Sequence, residues 1–154
     1  MNPRRATPDD ARELTRLRTI MLGYPHGPWF EQCVNSFGAQ LRDVDTFAAF
    51  VVEHPDLRGL VACAVAVVTP NFPSPRNAAT RRGLVIQVVT EPGYRRRGYG
   101  RSCVTSALGW LTCRGCATVA LNSAPEAEPL YRSLGFVPTG HPSMKAALPI
   151  GERS

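Results

Sequence analysis

The chain has 154 residues, 44% of them hydrophobic, and a formal net charge of +6, which suits one domain, 1–154, with a full-sized core. No apolar stretch reaches the ~20 residues that cross a bilayer, and Met1-Asn2-Pro3-Arg4-Arg5 leads into Asp9, Asp10 and Glu13 rather than an apolar segment, so neither a membrane protein nor a signal peptide is expected. The five cysteines (33, 63, 103, 113 and 116) are odd in number, and two of them lie within apolar patterns, so reduced thiols and a cytoplasmic location are expected.

Thr7-Pro8-Asp9-Asp10 reads as a helix start, with Thr7 as N-cap, Pro8 in the first position and acids in the first turn. Leu14, Leu17, Ile20 and Met21 then form one apolar face. Gly23-Tyr24-Pro25-His26-Gly27-Pro28 breaks the chain, and a second, weaker helix is expected over 29–42. Strands follow at 46–53 and 59–69, joined as a hairpin by His54-Pro55-Asp56. The run Leu60 to Val68 is apolar at nearly every position, which places it mid-sheet with both faces covered. Residues 70–82, with Asn71, Pro73, Pro75 and Asn77, read as a polar loop and the most mobile region. Leu84 to Thr90 is the next strand, closed by Glu91-Pro92-Gly93. Ser102 to Leu111 is helical, with apolar residues at 103, 104, 107, 108 and 111. Cys113-Arg-Gly-Cys116 ends that helix with Gly115 as its cap and has no second pair to complete a zinc site. His26, His54 and His141 have no ligand spacing, so no metal is expected. A strand over 118–121, a short helix over 125–134 and closing strands at Phe136-Val137 and Met144–Leu148 complete the pattern. The order indicates an α/β domain with a mixed sheet.

Six residues between the Leu84–Thr90 strand and the following helix carry the strongest signal: Arg95-Arg96-Arg97-Gly98-Tyr99-Gly100. Two glycines at a helix N-terminus let backbone N–H groups converge on an anion, and the helix dipole and arginines add positive potential there. The physical reading is a phosphate cradle, although neither Gly-x-x-x-x-Gly-Lys-Ser/Thr nor Gly-x-Gly-x-x-Gly is present. A solvated basic turn is the plain alternative. Residues 81–101 hold six arginines and one acid, against twelve basic and eleven acidic residues elsewhere. That distribution is read as positive charge gathered around the cradle, which favours a polyanionic ligand there over a general nucleic-acid surface.

A second motif, Leu130-Tyr131-Arg132-Ser133-Leu134-Gly135-Phe136, begins thirty residues after Gly100. A short helix ends at Gly135 in the left-handed cap conformation, and Phe136 re-enters the core. Taken alone, Tyr131 reads as a half-buried core tyrosine.

Together, Arg95-x-x-Gly98-x-Gly100, a helix, a strand and Leu-Tyr-x-x-x-Gly-Phe resemble the GCN5-related N-acetyltransferase (GNAT) superfamily. The resemblance is strong over residues 83–137, and the N-terminal half supports it by element order. It implies a single GNAT-like α/β domain whose twisted, mixed, mostly antiparallel sheet has six to seven strands and about four flanking helices. It implies acetyl-CoA as cosubstrate, with the pyrophosphate on the amides of Arg96 to Arg101 (Arg96, Arg97, Gly98, Tyr99, Gly100, Arg101) and Arg95 as the signature position. It also implies that the pantetheine arm pairs with the backbone of Val88, Val89 and Thr90 in a slot opened by a strand splay. Asn122, where the next strand ends, is either a further pantetheine partner or a turn-forming residue. Tyr131 matches the tyrosine that protonates the departing thiolate. Many relatives are homodimers.

An amine must be neutral to attack a thioester, so a base or a water chain must take its proton. The oxyanion needs a donor, and the backbone N–H of Val88 is the expected one, worth ~3–4 kcal/mol of transition-state stabilisation. Many relatives carry an acid in the strand before the cradle. This chain has Gln87 there, and an amide cannot accept a proton, so a water relay is expected. Cys103 as an acyl carrier is disfavoured by its place in the core pattern. Tyr24, Trp29, Phe30 and Phe72 are candidates to line an acceptor slot. The expected function is therefore acetyl transfer to a primary amine, small-molecule or peptide, by direct attack in a ternary complex. A non-catalytic acyl-CoA sensor and, last, an arginine-rich RNA-binding protein are the alternatives, and no nucleic acid or membrane partner is expected.

Overall fold

The fold was obtained as a computed structural model, which describes residues 2–150. The chain divides into two units, one ending at Asn122 and the other beginning at Ser123.

The first unit is a five-stranded sheet with helices on it. β1 (Arg4–Arg5) is followed by a 3-10 turn (Pro8–Asp10), α1 (Ala11–Leu22), α2 (Pro28–Leu41), β2 (Phe47–Glu53), β3 (Leu60–Pro70), β4 (Arg81–Thr90), α3 (Tyr99–Cys113) and β5 (Cys116–Ala120). The strands lie in chain order across the sheet. The first three pairings are antiparallel and β4–β5 is parallel, so the mixed, mostly antiparallel expectation holds.

The expected helix at Pro8 begins as a 3-10 turn, and Thr7 donates its N–H to Asp10 Oδ2 at 2.8 Å. Arg4 grips the same carboxylate with two bonds of 2.8 Å and reaches Glu53 at 3.0 Å. These bonds hold β1, a two-residue strand with no apolar pattern, against β2. Leu14 and Leu17 of α1 and Phe37 and Leu41 of α2 pack on Val51, Val65 and Val89, while α3 packs on β2, β3 and β4. Cover on both faces explains why Leu60 to Ala66 of β3 are all buried.

The expected loop over 70–82 is shorter. Its ends are tied by Asn71 N–H to Thr80 O at 2.8 Å and its tip by a Ser74–Asn77 bridge, while Arg81 and Arg82 belong to β4.

The second unit contains a 3-10 turn (Pro125–Ala127) and α4 (Glu128–Ser133). Gly135 closes α4 at φ 98° with its N–H on Arg132 O, and Phe136 N–H bonds Tyr131 O, both at 3.0 Å. This is the double-bonded left-handed cap expected of that glycine. The described residues contain four α-helices, as expected, but five strands rather than six to seven. Neither Phe136-Val137 nor Met144–Leu148 forms a strand. Pro138, Pro142 and Pro149 offer no backbone donor to a ladder, and Val137, Met144 and Leu148 lie 77–90% exposed.

Candidate functional site

β4, the loop after it and the start of α3 build the site. β4 pairs with β3 along its whole length, but it pairs with β5 only as far as Leu84. Beyond Leu84 the edge facing β5 is open, which is the splay expected of this fold. A bulge at Ile86, opposite the Val65/Ala66 step, marks the transition, and the Ile86 side chain is 49% exposed. Bulges bend a strand and increase its twist.

Backbone direction along this edge follows from one bond. Glu91 donates its N–H to Val61 O at 2.8 Å, toward β3. Peptide groups alternate along an antiparallel strand, so those of Val89 also face β3, while those of Val88 and Thr90 face the open edge. The Thr90 carbonyl accepts from Arg95 Nε at 3.2 Å, which folds the loop back along the strand end.

The loop conformation is specific. Arg96 has φ 63° and Gly98, the N-cap of α3, has φ 83°. These two left-handed residues, the first following Arg95 in an extended conformation, turn the chain sharply twice just before the helix, and turns of this kind present backbone N–H groups to anions. The N–H groups of Arg96, Arg97 and Gly98 bond to no protein acceptor among the described residues. Those at Tyr99 and Gly100 belong to the helix turn that has no intrahelical acceptors. Together with the helix dipole these amides supply the donors that an anion site needs. The Tyr99 side chain is 8% exposed and anchors the helix in the core, so only its backbone is available to a ligand. Tyr94 braces the loop from the other side, with its hydroxyl 2.7 Å from His54 Nε2 and its ring 5.0 Å from the Arg97 guanidinium.

The charge distribution needs correction. Arg81 and Arg82 are at the far end of the ten-residue β4, where Arg81 bonds Arg114 O and Arg82 bonds Thr69 Oγ1. At ~3.3 Å per residue the strand carries them more than ~20 Å from the cradle. Arg95, Arg96, Arg97 and Arg101 remain beside it. Fewer charges and more backbone amides make the site than the sequence suggests.

Gln87 is 2% exposed. Its Nε2 donates to Leu14 O at 3.1 Å and approaches Cys63 Sγ at 3.5 Å, while its Oε1 accepts from Arg18 Nη1 at 3.2 Å. It is a buried clamp between α1, β3 and β4. Through it Arg18, a residue that sequence reasoning passed over, is tied to β4 at the residue before Val88. Arg18 lines a cleft of about 620 Å³ in the first unit, with Leu22, Tyr24, His26, Trp29 and Cys33. Of the four aromatic candidates for an acceptor slot, Tyr24 and Trp29 line this cleft, whereas Phe30 is 7% exposed in the core and Phe72 stands 89% exposed elsewhere.

Burial pushes the Cys63 thiol up to about 11 and the Cys103 thiol to about 12, so neither supplies a thiolate nucleophile near neutrality. Asn122 is exposed two residues past the end of β5. In the second unit Tyr131 is 7% exposed, edge-on to Phe136 at 5.7 Å, and burial raises its hydroxyl above the usual tyrosine value. It is therefore protonated at neutral pH, the state that a proton donor needs. The described residues contain no cluster of His, Cys, Asp and Glu suited to a metal ion, and no helix long and apolar enough to cross a membrane.

The fold as a whole is similar to those of solved proteins described as acetyltransferases. A protein of Clostridium acetobutylicum described as a predicted acetyltransferase, solved with acetyl-CoA, matches with a TM-score of 0.81 at 19% identity, over 94% of this chain and 95% of its own. Glucosamine-6-phosphate N-acetyltransferase of Arabidopsis thaliana matches with a TM-score of 0.78 at 19% identity, over 94% and 97%. In sequence, glucosamine 6-phosphate N-acetyltransferase of Trypanosoma brucei brucei is 28% identical over 101 residues, 64% of this chain and 67% of the relative. The model of the acetyltransferase (GNAT) family matches residues 14–136. The chain belongs to the GNAT family and is an acetyltransferase.

Proposed function

We propose that the chain is an acetyl-CoA-dependent N-acetyltransferase that transfers the acetyl group to a primary amine by direct attack in a ternary complex, with residues 1–154 working as one domain. The observation that carries this is the cradle: two left-handed residues, Arg96 and Gly98, bend the loop at the N-terminus of a long helix, directly after an open strand edge, and the N–H groups of Arg96, Arg97 and Gly98 have no acceptor among the described residues. A pyrophosphate fits such a point, with Arg95, Arg96, Arg97 and Arg101 supplying long-range attraction. The open edge at Val88 and Thr90 suits an amide-bearing arm that adds as a strand. Val89 supports that edge from the β3 side, and Asn122 lies where the neighbouring strand ends. Acetyl-CoA supplies the activated thioester.

The chain's own groups then have separable tasks. The Val88 N–H is directed to the open edge and stabilises the oxyanion. Tyr131, kept protonated by burial, gives its proton to the departing thiolate. Gln87 cannot take the amine proton and is committed to three partners, so a water relay carries that proton out. An elongated ligand that needs both phosphate amides and a strand edge favours CoA over RNA, and family membership favours turnover over a sensor.

The test is chromatographic measurement of CoA release over a panel of amines, paired with thermal shifts in acetyl-CoA. Stabilisation by acetyl-CoA together with release dependent on an amine is expected. Stabilisation with no release for any amine, even at pH 9, would establish the sensor instead.

A further inference from the structure

The cleft on α1 and α2 has a definite chemical character. Its walls are aliphatic and aromatic: Leu22, Tyr24 and Trp29. The Trp29 indole is fixed because its Nε1–H donates to Pro25 O at 3.0 Å, and His26 is stacked on Phe30 at 4.2 Å. The Trp29 ring is therefore held in place before any ligand arrives, which lowers the entropy cost of binding a flat group.

Charge in the cleft is equally definite. Among the described residues that line it, Arg18 is the one permanent charge and none is a carboxylate. Glu31, the acid in the first turn of α2, is gripped by Arg12 through two bonds of 2.9 and 3.0 Å. Arg18 uses one N–H on Gln87, and its other guanidinium donors have no acceptor among the described residues. A guanidinium so positioned matches a carboxylate fork. A polycation such as a polyamine would meet a like charge and no counter-ion. A hexosamine phosphate would bring several hydroxyls to walls with few groups to bond them, and unpaired hydroxyls are costly.

Resting on the acetyltransferase reading above, we propose that the acceptor is an aryl amine or arylalkylamine bearing one carboxylate, with its ring on the Tyr24 and Trp29 walls and its carboxylate on Arg18. The Arg18–Gln87 bond ties this cleft to β4, the strand whose open edge is the proposed place of transfer. The same arrangement helps with deprotonation. The described lining of the cleft also offers an ammonium no acidic counter-ion, which disfavours the charged form, so the amine gives up its proton to the water relay without a carboxylate base.

The full-length protein is assayed for CoA release with L-phenylalanine, L-tryptophan and 4-aminobenzoate, against phenethylamine, spermidine and glucosamine 6-phosphate. At least one of the three carboxylates should be acetylated with a kcat/KM ten-fold or more above phenethylamine, spermidine and glucosamine 6-phosphate. Arg18→Met should reduce the phenylalanine-to-phenethylamine preference by ten-fold or more. Trp29→Ala, at a partly exposed position, should raise KM for the aryl carboxylate by five-fold or more. Saturation-transfer NMR supplies a readout independent of turnover: phenylalanine ring protons should receive magnetisation from the wild-type protein and much less from the Trp29→Ala protein. Preference for spermidine or glucosamine 6-phosphate would overturn the assignment while leaving acetyl transfer standing. So would acetyl-CoA binding without acetylation of any aryl carboxylate. Failure to bind acetyl-CoA at all would overturn the acetyltransferase reading itself.

Discussion

Substituting Gly98 by alanine separates backbone geometry from sterics in the cradle. A Cβ at Gly98 would meet nothing within 4 Å, so the whole cost lies in its φ of 83°. Holding a non-glycine residue in the left-handed region costs ~1–2 kcal/mol. Stiffening of the unfolded chain by alanine returns ~0.4–1 kcal/mol, which leaves a net loss of about 0.5–1 kcal/mol. For a chain of this size that lowers the melting midpoint by about 1–4 °C. If the loop relaxes to relieve strain, the amides change direction, and restoring them on binding costs no more than the same ~1–2 kcal/mol. Acetyl-CoA affinity should therefore fall by about 5–30-fold, not more. Gly100→Ala is the control, because its Cβ would lie 3.4 Å from Thr90 Oγ1, an ordinary contact, without a positive φ. Its affinity should change by less than about three-fold, under 1 kcal/mol. Isothermal titration with acetyl-CoA and differential scanning calorimetry measure both quantities. If Gly98→Ala bound acetyl-CoA as tightly as wild type, or Gly100→Ala were the more damaging of the two, the amide-cradle argument would fail.

Other expectations follow from the same geometry. Tyr131→Phe should lower kcat by ten-fold or more with the acetyl-CoA dissociation constant within about two-fold, and unchanged kcat across pH 6–9 would remove its acid role. Gln87→Leu removes the bonds to Leu14 O and from the Arg18 guanidinium, each worth ~0.5–1.5 kcal/mol, so urea denaturation should show a loss of ~1–3 kcal/mol; a neutral result would refute the clamp. Burial alone would raise the Glu13 carboxyl, but Arg16 and the Leu60 N–H outweigh it and its pKa is lowered. A depressed folded pKa adds stability above the unfolded value of ~4.3 and loses it as pH falls through the folded value. Glu13→Gln should therefore be less stable than wild type at pH 7, and the gap should narrow below pH 4 in thermal melts. Under native conditions a thiol reagent should modify exposed Cys113 readily and leave Cys63 and Cys103 untouched, as peptide mapping can show.

The parts of the fold legible in the sequence were those set by local pattern. The unbroken apolar run from Leu60 announced a strand covered on both faces, and the two glycines after the basic run marked a helix start that the structure moves three residues earlier, to Tyr99. The cap at Gly135 was readable for the same reason, since it depends on one residue's φ. Features fixed by distant partners were not readable. β1 is two arginines made into a strand by Asp10 and Glu53, and the bulge at Ile86 is a register event between β3 and β4. Two arginines counted toward the cradle were carried away by the length of β4. Arg18 has no motif around it. Only the fold brings it to Gln87, so the acceptor cleft had no sequence signal beyond the aromatic residues that line it.

The most direct test of the central claim is an amide-resolved NMR titration with acetyl-CoA. The largest shifts should fall on the N–H signals of Arg96, Arg97, Gly98, Tyr99 and Gly100, with Val88 and Thr90 of the open edge next. Saturable binding that leaves these seven amides unmoved would contradict the account.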